Sequence, residues 1–210
     1  MKIKLLLLSL AVASVSCKKE ETEKTIETKA TDTVKEEMAT IPDSATISKA
    51  WNEFMTPNDV HKKLSADTGT WTEEISMWQS ADMPPTKSTA TADVKMILGG
   101  RYQEMIHKGD FMGMPFEGRG TLAYDNAAKE YVSTWIDNMG TGIMVMRGSY
   151  DDTSKTYKMS GEVVDPVTKK KKTTRETVTI IDDKTQKVEM YDTGYDGKEF
   201  KCMEILMKKK

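Results

Sequence analysis

The sequence predicts an all-β protein: an up-and-down antiparallel β-barrel of about ten strands, preceded by a short N-terminal helical segment. A recurring turn is the first observation behind this prediction. It occurs as Tyr124–Tyr131, again as Tyr150–Tyr157 and, more loosely, as Ile181–Val188. Each copy has a β-favouring residue, two Asp or Asn residues, a short polar loop and a second β-favouring residue, which is typical of a β-hairpin.

The spacing of these turns is the second observation. They start 26 and 31 residues apart, which leaves room for two strands and one opposite turn between them. We therefore expect the three turns to lie together at one end of the barrel. The intervening turns, such as 138–142, 165–172 and 193–197, are expected at the other end.

The third observation is a series of segments rich in Val, Ile, Thr, Tyr and Trp, several of which alternate apolar and polar residues. Consecutive antiparallel strands would leave exposed edges unless the sheet closed, so a barrel is favoured over an open, twisted meander. The predicted strands, in chain order, are 70–79, 86–97, 101–108, 116–124, 130–137, 143–150, 156–164, 173–181, 187–193 and 199–207.

A helical segment is expected before the first strand. Ser48 can cap a helix over Lys49–Met55, and Thr56–Asp59 can begin a second helical turn that ends near residue 64. Because the first strand starts at the end with the repeated turns, we expect this segment to cover that end. Its apolar residues are predicted to face the barrel: Trp51, Phe54, Val60 and Leu64.

Residues 1–16 are predicted to be a lipoprotein signal peptide. Lys2 and Lys4 flank the start of an apolar stretch that is too short to span a bilayer. Cys17 follows directly and is predicted to be lipidated, as in a bacterial lipobox, although Ser14 stands where leucine is usual. The alternative is ordinary cleavage near residues 13–16, which would leave a soluble protein.

The remainder of the chain divides into two parts. Residues 17–48 are predicted to be the lipidated cysteine and a disordered tether, because charged residues dominate and aromatic residues are absent. Residues 49–210 are predicted to form a single β-barrel domain. With Cys17 lipidated, only Cys202 remains, so no intramolecular disulfide is expected. The formal net charge of −2 argues against nucleic acid as a partner.

Several motifs resemble those of one bacterial family. The stretch LGGRYQEMIHKGDFMGMPFEGRGTLAYDNAAKEYVSTWIDNMGTGIM, together with FMTPNDVHKKL and GTW upstream, is similar to the signature of domain of unknown function number fifteen seventy-nine. The resemblance covers roughly residues 50–208 and implies a lipocalin-like barrel. It implies no established activity. Lipoproteins of this family are typical of Gram-negative bacteria, so we expect an outer-membrane anchor in the cell envelope, with the domain facing the periplasm or the surface.

Candidate ligand-binding residues come from the signature segments and from the turns at the second end. Arg101 and Asp137 would orient a ligand's polar end, or they would form a structural ion pair or turn contact instead. The methionines of these turns have three alternative interpretations. They would contact an apolar ligand at the barrel mouth, bind Cu(I), or fill that end of the core without a ligand. The candidates are Arg101, Asp137, Trp135, Tyr124, Met112, Met114 and Met139, with Met83 in the same set of turns. Tyr124 and Trp135 are equally suited to the core or the barrel wall.

No cofactor or metal is expected. His61 and His107 are isolated, without zinc-ligand spacing, and the Asp-rich turns lack the calcium-loop pattern. Haem bound through one histidine, or copper, is the minor alternative. No catalytic motif is recognisable, so an enzyme is not expected.

The predicted function is therefore binding of a small apolar or amphipathic ligand inside the barrel of a monomeric lipoprotein. The membrane would be contacted through the N-terminal lipid anchor. A ligand-free structural or protein-interaction module is the first alternative. An enzyme acting on a lipid or sugar derivative is the second, and it would need a titratable pair within a cavity.

Overall fold

A computed structural model of the protein describes residues 41–210. The predicted signal peptide, Cys17 and most of the predicted tether lie outside the described residues. Pro42–Lys210 is a compact unit with its own hydrophobic core, as expected of an independently folding domain. Within this part of the chain, no helix is both long and apolar enough to cross a membrane.

Ten antiparallel strands form a closed barrel, which confirms the predicted fold class. Each strand pairs with its sequence neighbours, and β1 also pairs with β10, where Trp71 lies opposite Lys209. The strands are β1 Gly69–Met77, β2 Thr86–Ile97, β3 Tyr102–Phe111, β4 Met114–Asp125, β5 Glu130–Asp137, β6 Met144–Asp151, β7 Thr156–Val164, β8 Lys171–Asp182, β9 Thr185–Thr193 and β10 Glu199–Lys209.

The repeated turns close three hairpins at one end of the barrel, as predicted. In each, an aspartate that ends a strand accepts hydrogen bonds from backbone N–H groups two or three residues further on: Asp125, Asp151 and Asp182. Lys129 and Lys155 then adopt positive φ angles of 57° and 49° as the chain enters the next strand. The third hairpin is tighter than predicted, because β9 already begins at Thr185.

Two helices precede the barrel, α1 at Ser44–Met55 and α2 at Asp59–Ser65. The cap of α1 differs from the expected Ser48, because the Asp43 carboxylate accepts a 2.8 Å hydrogen bond from the backbone N–H of Thr46. Residues 44–48, predicted to belong to the tether, are therefore helical.

The helical segment covers the end with the repeated turns, as predicted. Asn126, at the tip of the β4–β5 hairpin, donates through Nδ2 to the main-chain carbonyl oxygens of Glu53 and Thr56, at 3.0 and 2.9 Å. Its Oδ1 accepts a 2.7 Å hydrogen bond from Asn58. This one buried side chain thus joins the end of α1 and the start of α2 to the barrel.

The predicted apolar face of this segment is confirmed for two of its four residues and wrong for the other two. Leu64 is completely buried, and Val60 packs against the core. Trp51 and Phe54, however, are 57% and 47% exposed. The reason is that α1 is attached through the backbone carbonyl groups at its C-terminal end rather than through its apolar stripe, so these two aromatic rings contact each other instead.

Candidate functional site

A cavity of about 470 Å³ occupies the interior of the barrel. It extends from Asp67 and Gln103, beside α2, to Asp137 and Met139 at the opposite set of turns. Leu64, a completely buried residue of α2, closes the first end. The turns at the second end are therefore where a ligand would enter.

Methionine is the most frequent apolar residue in the cavity wall, but mostly from the strands rather than from the turns. Of the turn methionines expected to form a mouth, Met139 lines the cavity, whereas Met83, Met112 and Met114 are largely exposed and do not line it. Met112 borders an adjoining pocket at the rim. The methionines of the wall are Met77, Met105, Met139, Met144, Met159, Met190, Met203 and Met207.

A glutamate–histidine pair lies inside the cavity. His107 Nδ1 is 3.0 and 3.2 Å from the two carboxylate oxygens of Glu73, and a carboxylate accepts, so Nδ1 donates. The side chains are both buried, with Glu73 2% exposed and His107 8% exposed. They lie on β1 and β3, two strands apart. They meet because the intervening inward residues of β2, Ala90 and Ala92, are small.

Trp135 extends the wall beside this pair. Its ring lies edge-on to His107, with centroids 5.0 Å apart, and its indole N–H donates a 2.7 Å hydrogen bond to Asp137. The ring rests on Gly118 of β4, where a Cβ would come within 2.4 Å of the indole. The glycines of the signature segment therefore make room for Trp135.

Glu176, on β8, lies across the cavity from His107. Its strand is five positions from β3 in either direction around the barrel. Burial raises the pKa of its carboxyl to about 7, and the nearby His107 offsets only part of that effect. Among residues 41–210, no hydrogen-bond donor or cation reaches this carboxylate, and its strand neighbours on β7 and β9 are Met159 and Met190.

The remaining carboxylates of the wall have partners. Asp67 accepts from the amides of Gln186, at 2.7 Å, and Gln103, and burial still raises its pKa. Asp137 accepts from Trp135 and from two backbone N–H groups of its own turn. Asp110 accepts a 2.7 Å hydrogen bond from the backbone N–H of Gly113.

The predicted site residues are only partly brought together. Trp135, Asp137 and Met139 all line the cavity. Arg101 is exposed at the other end, where its guanidinium donates a 2.8 Å hydrogen bond to the Met55 carbonyl oxygen and so holds α1 rather than facing the cavity. Tyr124 packs beneath α2 against His61 and belongs to the barrel wall.

Sequence reasoning did not identify Glu73 or Glu176 and did not connect His107 with a partner. A signal was present in the alternation of β1, where Glu73 interrupts the apolar series Trp71, Ile75 and Met77 on the inward face. A single carboxylate at an inward position of an otherwise apolar strand face indicates a buried polar site.

The family model described as "Protein of unknown function (DUF1579)" matches residues 56–209. The chain belongs to the DUF1579 family. Its match spans every barrel strand and α2, so the cavity and the Glu73–His107 pair lie wholly within the DUF1579 region. No curated protein matches the chain.

Two solved structures are similar to this DUF1579 chain. Rv2717c from M. tuberculosis is 11% identical with a TM-score of 0.56, and the match covers 74% of this chain and 99% of that one. The S-type phycobiliprotein lyase CPES from Guillardia theta is 9% identical with a TM-score of 0.51, covering 80% and 98%. At these identities the likeness concerns the barrel fold alone.

Proposed function

We propose that the protein is an envelope lipoprotein that binds a small apolar or amphipathic molecule inside its barrel. The observation that carries this proposal is the interior cavity, since ligand pockets typically measure roughly 300–1,000 Å³ and combine an apolar wall with a few convergent polar groups. The predicted signal peptide at residues 1–16, with Cys17 directly after it, supports attachment to the envelope through lipid. We propose a monomer without a resident cofactor and without nucleic acid as a partner.

Native mass spectrometry tests the binding proposal. Residues 41–210, purified gently after export in a Gram-negative host, should carry a reproducible extra mass that denaturation removes. Val188→Trp, which narrows the cavity, should lower the occupied fraction several-fold, whereas Val145→Trp on the outer face should not. An unliganded mass for the parent protein would contradict the proposal and favour the protein-interaction alternative.

An absorption spectrum of the same sample separates the minor alternatives. A haem band would replace the proposal by haem binding, with His107 as the histidine of the cavity. A copper mass would indicate thioether coordination by the methionines of the wall. Neither signal is expected, and among residues 41–210 no cluster of three or more His, Cys, Asp or Glu residues could hold a metal ion.

The Glu73–His107 hydrogen bond favours acid–base catalysis as a second candidate function. A carboxylate that orients an imidazole inside an apolar cavity is an arrangement that serves general bases. If the protein is an enzyme, the captured molecule should change in mass on incubation with the parent protein but not with His107→Gln. Release of an unchanged molecule by both proteins would leave binding as the function.

A further inference from the structure

The charged groups of the cavity wall are almost all of one sign. Five carboxylates line it, from Asp67, Glu73, Asp110, Asp137 and Glu176. Neither lysine nor arginine contributes to this wall within the described part of the chain, and its one basic side chain is a histidine already hydrogen-bonded to a glutamate. Lys87 borders only an adjoining pocket at the rim.

One of these carboxylates is distinct because nothing in the described protein satisfies it. The other four accept hydrogen bonds from amide, imidazole, indole or backbone N–H groups. Glu176 projects into the cavity between Met159 and Met190, without a donor. Glu176 is half-buried, and its carboxylate faces the apolar cavity without a partner from the described chain. Such a placement is costly, and a cation or strong donor supplied by a ligand would offset that cost.

We propose that the cavity selects an amphipathic amine, whose ammonium group pairs with Glu176 while its apolar body lies against the methionine-rich wall. This inference rests on the proposed binding function and specifies its ligand class. An ammonium group adds the missing positive charge and three N–H donors. A fatty-acid carboxylate would instead meet further negative charge without a compensating arginine or lysine.

The surroundings of Glu176 agree with a cationic occupant. The other titratable groups of the cavity wall are Glu73 and His107 opposite Glu176, Asp67 at the closed end, Tyr157 on β7, and Asp110 and Asp137 toward the second set of turns. These groups contain four carboxylates and only one basic side chain. In the empty cavity the pKa of Glu176 near 7 keeps part of the population protonated, and an ammonium beside it would draw the carboxyl into its ionised form.

The test compares three amphiphiles that share the same alkyl tail and differ only in the head group. Decylamine, decanol and decanoate are titrated at pH 8 into residues 41–210 preloaded with a neutral fluorescent apolar probe, and displacement of the probe is measured. We expect decylamine to bind at least tenfold more tightly than decanoate, with decanol between them. Glu176→Gln keeps the shape of the side chain and should reduce the affinity for decylamine to that for decanol.

Glu74→Gln is the matched control, because Glu74 is the neighbour of Glu73 on the exposed face of the same strand. It should leave all three affinities unchanged. Equal binding of the amine and the alcohol, or tighter binding of decanoate, would overturn the amine assignment while leaving the proposed binding function intact. Failure of the probe and of every amphiphile to bind would overturn both.

Discussion

At the scale of single residues, Glu176 makes the stability of the folded protein depend on pH. Burial raises the pKa of the Glu176 carboxyl from 4.5 to about 7. Between these two pH values Glu176 is therefore protonated in the folded protein but ionised in the unfolded chain. The stabilisation from this proton is complete below about pH 4.5. It is lost as pH rises through about 7.

Glu176→Gln should therefore stabilise the empty protein at pH 8, by up to about 3 kcal/mol, and have little effect at pH 5. Urea unfolding of residues 41–210 at both pH values measures the difference. The comparison is made against the parent protein because burial also raises the pKa of Asp67, whose contribution is common to both chains. Equal stabilisation at the two pH values would show that Glu176 does not titrate in this range.

Gly118 makes a second residue-scale prediction. A Cβ there would lie 2.4 Å from the indole of Trp135, so Gly118→Ala should displace that ring and destabilise the barrel by about 1–3 kcal/mol. The tryptophan fluorescence of the protein, to which Trp135 contributes, should shift together with the urea midpoint. Gly142→Ala, at a turn position with open space around it, is the control and should leave both unchanged.

At the scale of elements, the two helices are fastened to the barrel by few side chains. Asn126 makes the central connection, and Arg101 and Lys63 add contacts to the Met55 carbonyl oxygen and to Asp152. Leu64 contributes the main apolar contact. Loss of Asn126 should thus loosen the helices more than it loosens the sheet.

We expect Asn126→Ala to increase amide hydrogen exchange across residues 44–65 at least tenfold while strands β6–β9 keep their protection. The reason is that three main-chain carbonyl groups lose their donor and Asn58 loses its acceptor. Asn138→Ala removes comparable contacts, to Pro115 and Glu117, at the opposite end and serves as the control. Unchanged exchange in the helices would show that Leu64 suffices to hold them.

At the scale of the whole molecule, Cys202 reports on the integrity of the barrel. Its thiol is partly buried on β10, and burial raises its pKa to about 11, which leaves very little thiolate at pH 8. In residues 41–210 it is the sole cysteine.

Alkylation of Cys202 should therefore be slow in the folded protein, and its rate should rise with urea in parallel with loss of the β-sheet circular dichroism signal. Thr72→Cys on the exposed face of β1 provides a thiol that reacts quickly in the folded state. Rapid alkylation of Cys202 without urea would indicate that β10 opens locally, away from global unfolding.

The sequence predicted the whole barrel but only part of the site, for a physical reason. Turn chemistry and strand alternation are local, so Asp125 and Asp151 identified their hairpins directly. The Glu73–His107 pair depends on closure of the sheet and on the small side chain of Ala90 between them. For Arg101 the sequence left a ligand anchor and a structural contact open, because the direction of its side chain is decided by the distant Met55 carbonyl oxygen.

Pairing of β1 with β10 has a consequence for any protein partner. Every described strand already has a neighbour on both sides, so the sheet offers no free row of main-chain N–H and C=O groups. An extended peptide cannot join it by strand addition. A partner would have to recognise side chains on the turns, on the outer strand faces or on the helices. Contact with another protein would therefore leave the main-chain pairing of the barrel intact.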